Sequence, residues 1–124
     1  MDGSSGKSGP TKGGGNDQPV ADGTLGGYFD HHSRPPAFEG SDGCPYTVSI
    51  EVEKTGDLLA PFSGYLVFPR WADTGAGIVG HVETPLLLHG RSRDEVVSEL
   101  EALTLLEVND LLREAISRRQ PETE

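Results

Sequence analysis

The chain has 124 residues, of which 34% are hydrophobic and 24% are charged, and its formal net charge is −10. This length allows one folded domain of ordinary size. It contains no run of about 20 apolar residues, so we expect no insertion into a membrane. The excess of acidic residues repels phosphate groups, which disfavours nucleic acid as a partner and favours a basic protein.

The N-terminus and the cysteine content indicate a cytoplasmic protein. Residues 1–6 show neither the basic start nor the apolar core of a secretory signal. The single cysteine, Cys44, cannot form a disulfide within the chain, which is typical of a reducing compartment. We therefore expect a cytoplasmic location.

Composition divides the sequence into two parts. Residues 1–43 hold 11 of the 17 glycines and few apolar residues, too few to offset the entropy lost when a chain becomes ordered. We predict a glycine-rich flexible arm over residues 1–43, disordered through residue 27. A domain is predicted over residues 44–120, with a short tail at 121–124. The acidity extends beyond the arm, since residues 44–124 carry 14 acidic and 7 basic residues.

The arm contains two aromatic anchors. Tyr28-Phe29 and Ala37-Phe38 flank Pro35-Pro36, which fixes φ and favours a stiff extended segment. The stretch Asp30-His31-His32 carries groups that bind metals, but zinc sites normally draw four ligands from separate positions. We interpret this stretch as a solvated loop and expect no metal site.

The domain begins with an amphipathic strand. Apolar and polar residues alternate over residues 46–53, a period typical of an antiparallel strand with one wet face. Residues 54–57 have the composition of a turn. The apolar positions of the strand are Tyr46, Val48, Ile50 and Val52.

The second predicted strand, residues 63–68, is apolar on both faces. Tyr65 and Val67 point to one side, and Leu66 and Phe68 point to the other. Such a strand is either covered on both sides or presents an apolar face to something else.

Two further strands are predicted after a break. Pro69 is expected to end the second strand, because proline cannot donate to a sheet ladder. Residues 76–83 form the third predicted strand, which Gly77 and Gly80 weaken, and residues 86–89 form a short fourth strand.

Two capping boxes predict two C-terminal helices. Apolar residues at helical spacing follow each box, which indicates one helix over residues 93–103 and a second that starts directly after it. The boxes are Ser92 with Glu95 and Thr104 with Glu107.

Basic residues close the second helix. Arg118 and Arg119 are expected in its last turn, where they complement the helix dipole, and Pro121 is expected to end it. With Arg113 they form the densest basic cluster, but acidic residues interrupt it, so we expect no nucleic-acid binding.

These elements predict an α+β fold: a three- or four-stranded antiparallel sheet covered on one face by the two C-terminal helices, with a disordered or extended N-terminal arm. Helices on one side leave the other side of the sheet apolar, and either the arm, a second copy or a different protein should cover it. The candidate partner contacts are Leu66, Phe68, Trp71, Phe29 and Phe38.

Three segments together resemble a known family. They are Tyr46-Thr47-Val48-Ser49-Ile50-Glu51, Gly64-Tyr65-Leu66-Val67-Phe68-Pro69 and Gly90-Arg91-Ser92-Arg93-Asp94-Glu95-Val96. Over residues 46–103 they resemble the two strands and the helix start of HicB-type antitoxin domains. The resemblance implies a small oligomeric sheet-and-helix domain that masks a basic RNase toxin, and it assigns no individual toxin-contact residue.

An enzyme is the remaining alternative. His81 and Glu83 would lie on one face of the third strand, as acid–base catalysis or metal binding needs. The sequence has no phosphate-binding loop, no nucleophile elbow and no paired-cysteine zinc pattern. We interpret the pair as solvent-facing and expect no catalytic residue, metal or cofactor, with a small metal-dependent enzyme as the second alternative to an interaction protein.

The favoured interpretation is a non-enzymatic protein-interaction module. It would be an accessory subunit that docks onto a larger assembly through the apolar sheet face and the N-terminal arm. Its partner is expected to be another protein, larger or basic, and a homo-oligomer is also compatible with an apolar face.

Overall fold

The computed structural model describes residues 23–123, with side chains through Arg119. The predicted disorder of residues 1–22 lies outside these residues. A six-stranded antiparallel sheet combines with three helices, which confirms the α+β class, with more strands than predicted. In chain order the elements are α1 (Leu25–His32), β1 (Phe38–Glu39), β2 (Pro45–Tyr46), β3 (Ser49–Lys54), β4 (Phe62–Trp71), β5 (Ile78–Glu83), β6 (Leu88–Gly90), α2 (Arg93–Glu101) and α3 (Leu105–Thr123).

Strand β4 is the centre of the sheet. Strands β2 and β3 pair along one of its edges, and β5 and β6 pair along the other. Val67 shows the arrangement, because it lies between Ser49 of β3 and Glu83 of β5. Strand β1 adds to the outer edge of β2, with Phe38 opposite Tyr46.

Pro69 does not end the central strand, which continues to Trp71. The expectation was wrong because the missing N–H affects only one side of the strand. The carbonyl of Pro69 accepts from the N–H of Thr47 at 3.1 Å, so the absent donor would have faced the same neighbour. The ladder is interrupted there, between β2 and β3, although Tyr46–Arg70 and Ser49–Val67 keep one register.

Strands β5 and β6 are joined across a gap by a buried threonine. The hydroxyl of Thr84 accepts from the N–H of Leu66 at 3.0 Å, and the N–H of Thr84 donates to the carbonyl of Leu66 at 2.9 Å. One residue thus satisfies both backbone groups of Leu66 on the edge of β4 where neither β5 nor β6 pairs with it.

One face of β4 forms the core. Leu66 and Phe68 are both 0% exposed and belong to one buried cluster with residues of α3. Gly64, on the same face, lies directly under α2: a Cβ added there would be 2.4 Å from a methyl of Val96 and 2.8 Å from one of Leu100. The α3 members of the cluster are Val108, Leu112, Ala115 and Ile116.

The capping box at Thr104 forms completely, and the one at Ser92 forms in part. The Ser92 hydroxyl accepts from the N–H of Glu95 at 3.1 Å, and the Thr104 hydroxyl accepts from the N–H of Glu107 at 3.1 Å. The Glu107 carboxylate in turn accepts from the N–H of Thr104 at 2.9 Å, whereas the Glu95 carboxylate accepts from the N–H of Arg91 at 3.0 Å. The chain therefore changes helix at residues 102–104, as the repeated box predicts.

Helix α3 does not end at Pro121 but extends to Thr123. A proline within a helix removes the hydrogen bond to the carbonyl four residues earlier, which here belongs to Ser117. Ser117 is exposed, so water can satisfy that carbonyl. Arg118 and Arg119 accordingly lie before the last turn of the helix.

The two arginines bond to the outer edge of β5. Arg118 donates to the carbonyl oxygen of Glu83 at 3.3 Å, and Arg119 donates to the carbonyl oxygen of His81. Residues 81 and 83 face β4 as non-hydrogen-bonded pairs, so their carbonyls point away from the sheet. The arginines thus satisfy outward-pointing carbonyls of an edge strand. From the sequence they were expected only to complement the helix dipole.

Part of the predicted arm, described from residue 23, packs against the domain, and the disorder predicted through residue 27 does not extend to the residues of α1. Leu25, the first residue of α1, is fully buried, and its N–H donates to the carbonyl of Leu103 at 2.8 Å. The Thr24 hydroxyl caps α1 by accepting from the N–H of Gly27 at 3.0 Å. Gly26 lets α1 approach α2, since a Cβ there would be 2.7 Å from that of Glu101. Glycine here permits close packing and not flexibility.

Candidate functional site

The face of the sheet opposite Leu66 and Phe68 carries solvent-exposed acidic residues. We call it the open face and define it by Glu51, Glu53, Tyr65, Val67 and Glu83. Residues directly opposite one another share a face, and the register places Glu51 beside Tyr65 and Glu83 beside Val67. The three glutamates are exposed, and the two larger apolar side chains between them are half-buried.

Tyr65 lies at the centre of this face, and its pKa reflects the negative charge of the surrounding carboxylates. Partial desolvation raises the pKa of Tyr65 above its ordinary value, and the carboxylates of Glu53, Glu83 and Glu51 raise it further. Negative neighbours act in this direction because they disfavour the tyrosinate anion. Carboxylates from strands β3 and β5 therefore act on one aromatic ring.

A serine and a histidine meet at one end of the open face. Ser63 lies between Glu53 and His89 in the register, and the Ser63 hydroxyl is 2.5 Å from Nδ1 of His89. The three residue types are those of a hydrolase triad. Ser63, however, is 0% exposed, so its hydroxyl cannot reach a substrate, and the contact fixes His89 against the sheet.

His81 and Glu83 lie on one face of β5, as predicted. Nε2 of His81 is 3.9 Å from a carboxylate oxygen of Glu83, and both side chains are more than half exposed. Among residues 23–119, no group of three histidine, cysteine, aspartate or glutamate side chains is arranged to hold a metal ion. The geometry is that of a weak surface ion pair.

The predicted partner contacts lie mostly in the core. Leu66 and Phe68 were expected on the side of the sheet opposite the helices, but they are fully buried in one cluster with residues of α3 and form no surface. Phe29 and Phe38 are partly buried and pack against the same cluster. The arm's aromatics thus do fold back, onto the helix-covered core and not onto the open face.

Trp71 is the one predicted contact at a surface depression. It is half-buried, and its indole N–H donates to the hydroxyl of Thr47 at 3.0 Å. A shallow groove of about 360 Å³ runs past it between the end of β4 and the start of β2, with Ala37 and Pro45 in its walls. Thr47 faces Pro69, so the groove adjoins the open face.

Asp30, His31 and His32 lie in a helix and not in a loop. They belong to the last turns of α1, and the His32 ring packs on the ring of Tyr28 with 4.1 Å between centroids. The predicted stiff extended segment is therefore confined to the prolines that follow α1.

Sequence reasoning missed an exposed leucine pair. Leu58 and Leu59 are 93% and 85% exposed at the tip of the β3–β4 connection. The tip is ordered by its own hydrogen bonds: the N–H of Thr55 donates to the carbonyl of Pro61 at 2.7 Å, and the N–H of Leu59 donates to Asp57 at 2.9 Å. The available sequence signal was that these two leucines directly follow the turn residues 54–57 and belong to no predicted helix or strand.

No protein-family model, curated protein or solved structure matches the chain. The site is therefore interpreted from its own geometry. In the described part of the chain, no helix has both the length and the apolar character to cross a membrane.

Proposed function

We propose that the protein is a non-enzymatic interaction module, an accessory subunit whose open face docks onto a basic protein. The observation that carries the proposal is the set of three exposed carboxylates around the half-buried Tyr65. Interfaces commonly place an aromatic or apolar centre inside a polar rim. Here the centre is Tyr65 with Val67, and the rim is acidic.

Electrostatics supports a basic partner over a second copy of the chain. The net charge is −10, so two copies brought together through their open faces would oppose glutamates with glutamates. A lysine- or arginine-rich surface would gain attraction at the same positions and would associate faster at low salt. The resemblance to HicB-type antitoxin domains favours the same choice, because those domains mask a basic toxin.

The test replaces the acidic rim without changing its shape. The open-face variant carries Glu51→Gln, Glu53→Gln and Glu83→Gln. The control variant carries Asp73→Asn, Glu99→Gln and Glu114→Gln, which remove three charges from other exposed positions. Both variants have the same net charge, so a difference between them reports the position of the charge.

The full chain and both variants are used to purify partners from the native host, with quantitative mass spectrometry of the bound proteins. We expect basic proteins to be retained by the wild type and the control and to be lost from the open-face variant. Equal retention by all three chains would overturn the proposal. The HicB-like alternative predicts one small basic RNase encoded beside this chain as the retained protein.

A further inference from the structure

A cleft separate from the open face lies where β2, β4 and β5 meet helix α3. Its volume is about 340 Å³, at the lower end of the range for sites that bind small molecules. Val82 and Ile116 supply an apolar wall, and Tyr46 supplies an aromatic one. The polar lining includes two cations, Arg70 and Arg119, in a chain whose net charge is −10.

Arg70 is the main feature of this cleft. Arg70 is half-buried, and its guanidinium lies over Gly80, where a Cβ would be 3.4 Å from Nη2. Its one directional contact is a long one, 4.0 Å from Nη1 to the Cys44 sulfur. It forms no ion pair with any carboxylate of the described residues. A partly desolvated cation without an anion is costly, and a bound anion would remove that cost.

Arg119 enters the cleft from α3. It donates to the backbone carbonyl of His81, a neutral acceptor that leaves the positive charge uncompensated. A guanidinium carries five N–H donors in a fixed plane, so this bond leaves several for a ligand. Arginine is a side chain with which proteins commonly hold carboxylates and phosphates, and two arginines line this cleft.

Asp42 is the opposing charge in the lining, and its bonds limit the ligand. One carboxylate oxygen accepts from the Tyr46 hydroxyl at 2.8 Å and the other accepts from the N–H of Cys44 at 3.1 Å. These two donors hold the Asp42 carboxylate on the side of the cleft where Tyr46 and Cys44 lie. An incoming anion therefore has to place its charged group on the arginine side of the cleft and its apolar body on Val82 and Ile116.

We propose that this cleft binds a small organic oxyanion, a carboxylate or a phosphate ester with an apolar body. The site shares no defining residue with the open face. Its ligand is thus independent of the proposed partner, and the open-face variant keeps it.

The binding test titrates the isotope-labelled full chain with sodium benzoate, inorganic phosphate and sodium chloride at equal ionic strength, followed by NMR. We expect saturable shifts at the amides of Gly80 and Val82 with benzoate or phosphate. Tighter binding of benzoate would assign a carboxylate ligand, and tighter binding of phosphate would assign a phosphate ester. Shifts as large with chloride, or no saturation with either anion, would overturn the proposal.

Two variants and a control locate the site. Arg70→Gln and Arg119→Gln are each expected to weaken binding by about tenfold to a hundredfold, the loss of a charge-assisted hydrogen bond. Arg113→Gln, which removes an exposed arginine paired with Asp110 at 3.1 Å, is expected to bind as the wild type does. If Arg70→Gln fails to fold, the test rests on Arg119→Gln, which changes an exposed residue. Unchanged binding by Arg119→Gln would overturn the proposal.

Discussion

The two faces of strand β4 are one residue apart in the sequence and differ entirely in their surroundings. Leu66 and Phe68 are fully buried in one cluster with residues of α3, whereas Tyr65 and Val67 are half-buried among exposed glutamates. All four side chains are large and mostly apolar, so hydrophobicity alone does not decide which pair becomes the core.

Glycine decides it. Gly64 and Gly90 lie diagonally to each other on the core face, with Gly90 opposite Phe62, and a Cβ on either would be within 2.9 Å of Val96. Their missing side chains let α2 approach the sheet on that face. The neighbouring position on the open face, Ser63, is instead packed against His89. Close helix packing therefore selects the face, and the larger side chains follow it.

The largest effect is expected from truncating the core face. Phe68→Ala should lower the free energy of unfolding by about 3–5 kcal/mol, because it leaves a cavity in the buried cluster. The control, Val67→Ala on the open face, should cost less than about 1.5 kcal/mol, because its side chain is only half-buried. Urea unfolding followed by circular dichroism measures both. Similar losses from the two substitutions would show that the faces are not distinct.

A smaller effect is expected where the helix approaches. Gly64→Ala should destabilise the domain by roughly 1–3 kcal/mol, because its methyl group would collide with Val96 and Leu100. Gly77→Ala is the control, since nothing lies within 4 Å of a Cβ there, and it should change stability by less than about 0.5 kcal/mol. A neutral Gly64→Ala would mean that α2 moves away freely and does not select the face.

The smallest effect concerns two tyrosines on opposite faces. Burial raises the pKa of Tyr46, assisted by its hydrogen bond to Asp42, whereas carboxylates of the open face contribute to the raised pKa of Tyr65. Replacing Glu51, Glu53 and Glu83 by glutamine should lower the pKa of Tyr65 and leave that of Tyr46 unchanged. Ultraviolet titration with Tyr→Phe reference variants assigns each value, and a parallel shift of both tyrosines would contradict the separation.

The sign of the linked pH dependence follows from the same shifts. Both folded-state pKa values lie above the unfolded value of about 10. The stabilising contribution of the neutral tyrosines is therefore complete below that pH and is lost as the pH rises through the folded values. Stability should decline in alkaline solution, and Tyr46→Phe should reduce that decline.

Local patterns predicted the elements well. Alternation predicted one strand over residues 46–53, which the structure divides into β2 and β3. The two Ser/Thr–Glu pairs gave the helix starts because each depends on residues three positions apart. The error at Pro69 had a different origin. The effect of its missing N–H depends on which edge of β4 it faces, and only the register of the partner strands determines that.

The candidate site was less predictable. The pairing of Glu51 with Tyr65 and of Glu83 with Val67 depends on strand register, and no pattern within a single strand contains it. The arm was misinterpreted because glycine serves both mobile segments and close helix contacts. Gly26 belongs to the second kind, and the nearby Leu25 and Phe29 were apolar signals that α1 would pack.

The arginine caps on β5 determine how this sheet could grow. With its outward carbonyls bonded to Arg118 and Arg119, that edge offers an incoming strand few acceptors. Strand β3 on the opposite side keeps the outward backbone groups of Ile50 and Val52. Edge-to-edge pairing between copies can therefore join β3 to β3 in a pair, whereas repeated pairing of β3 on β5, which would extend into a fibre, is disfavoured.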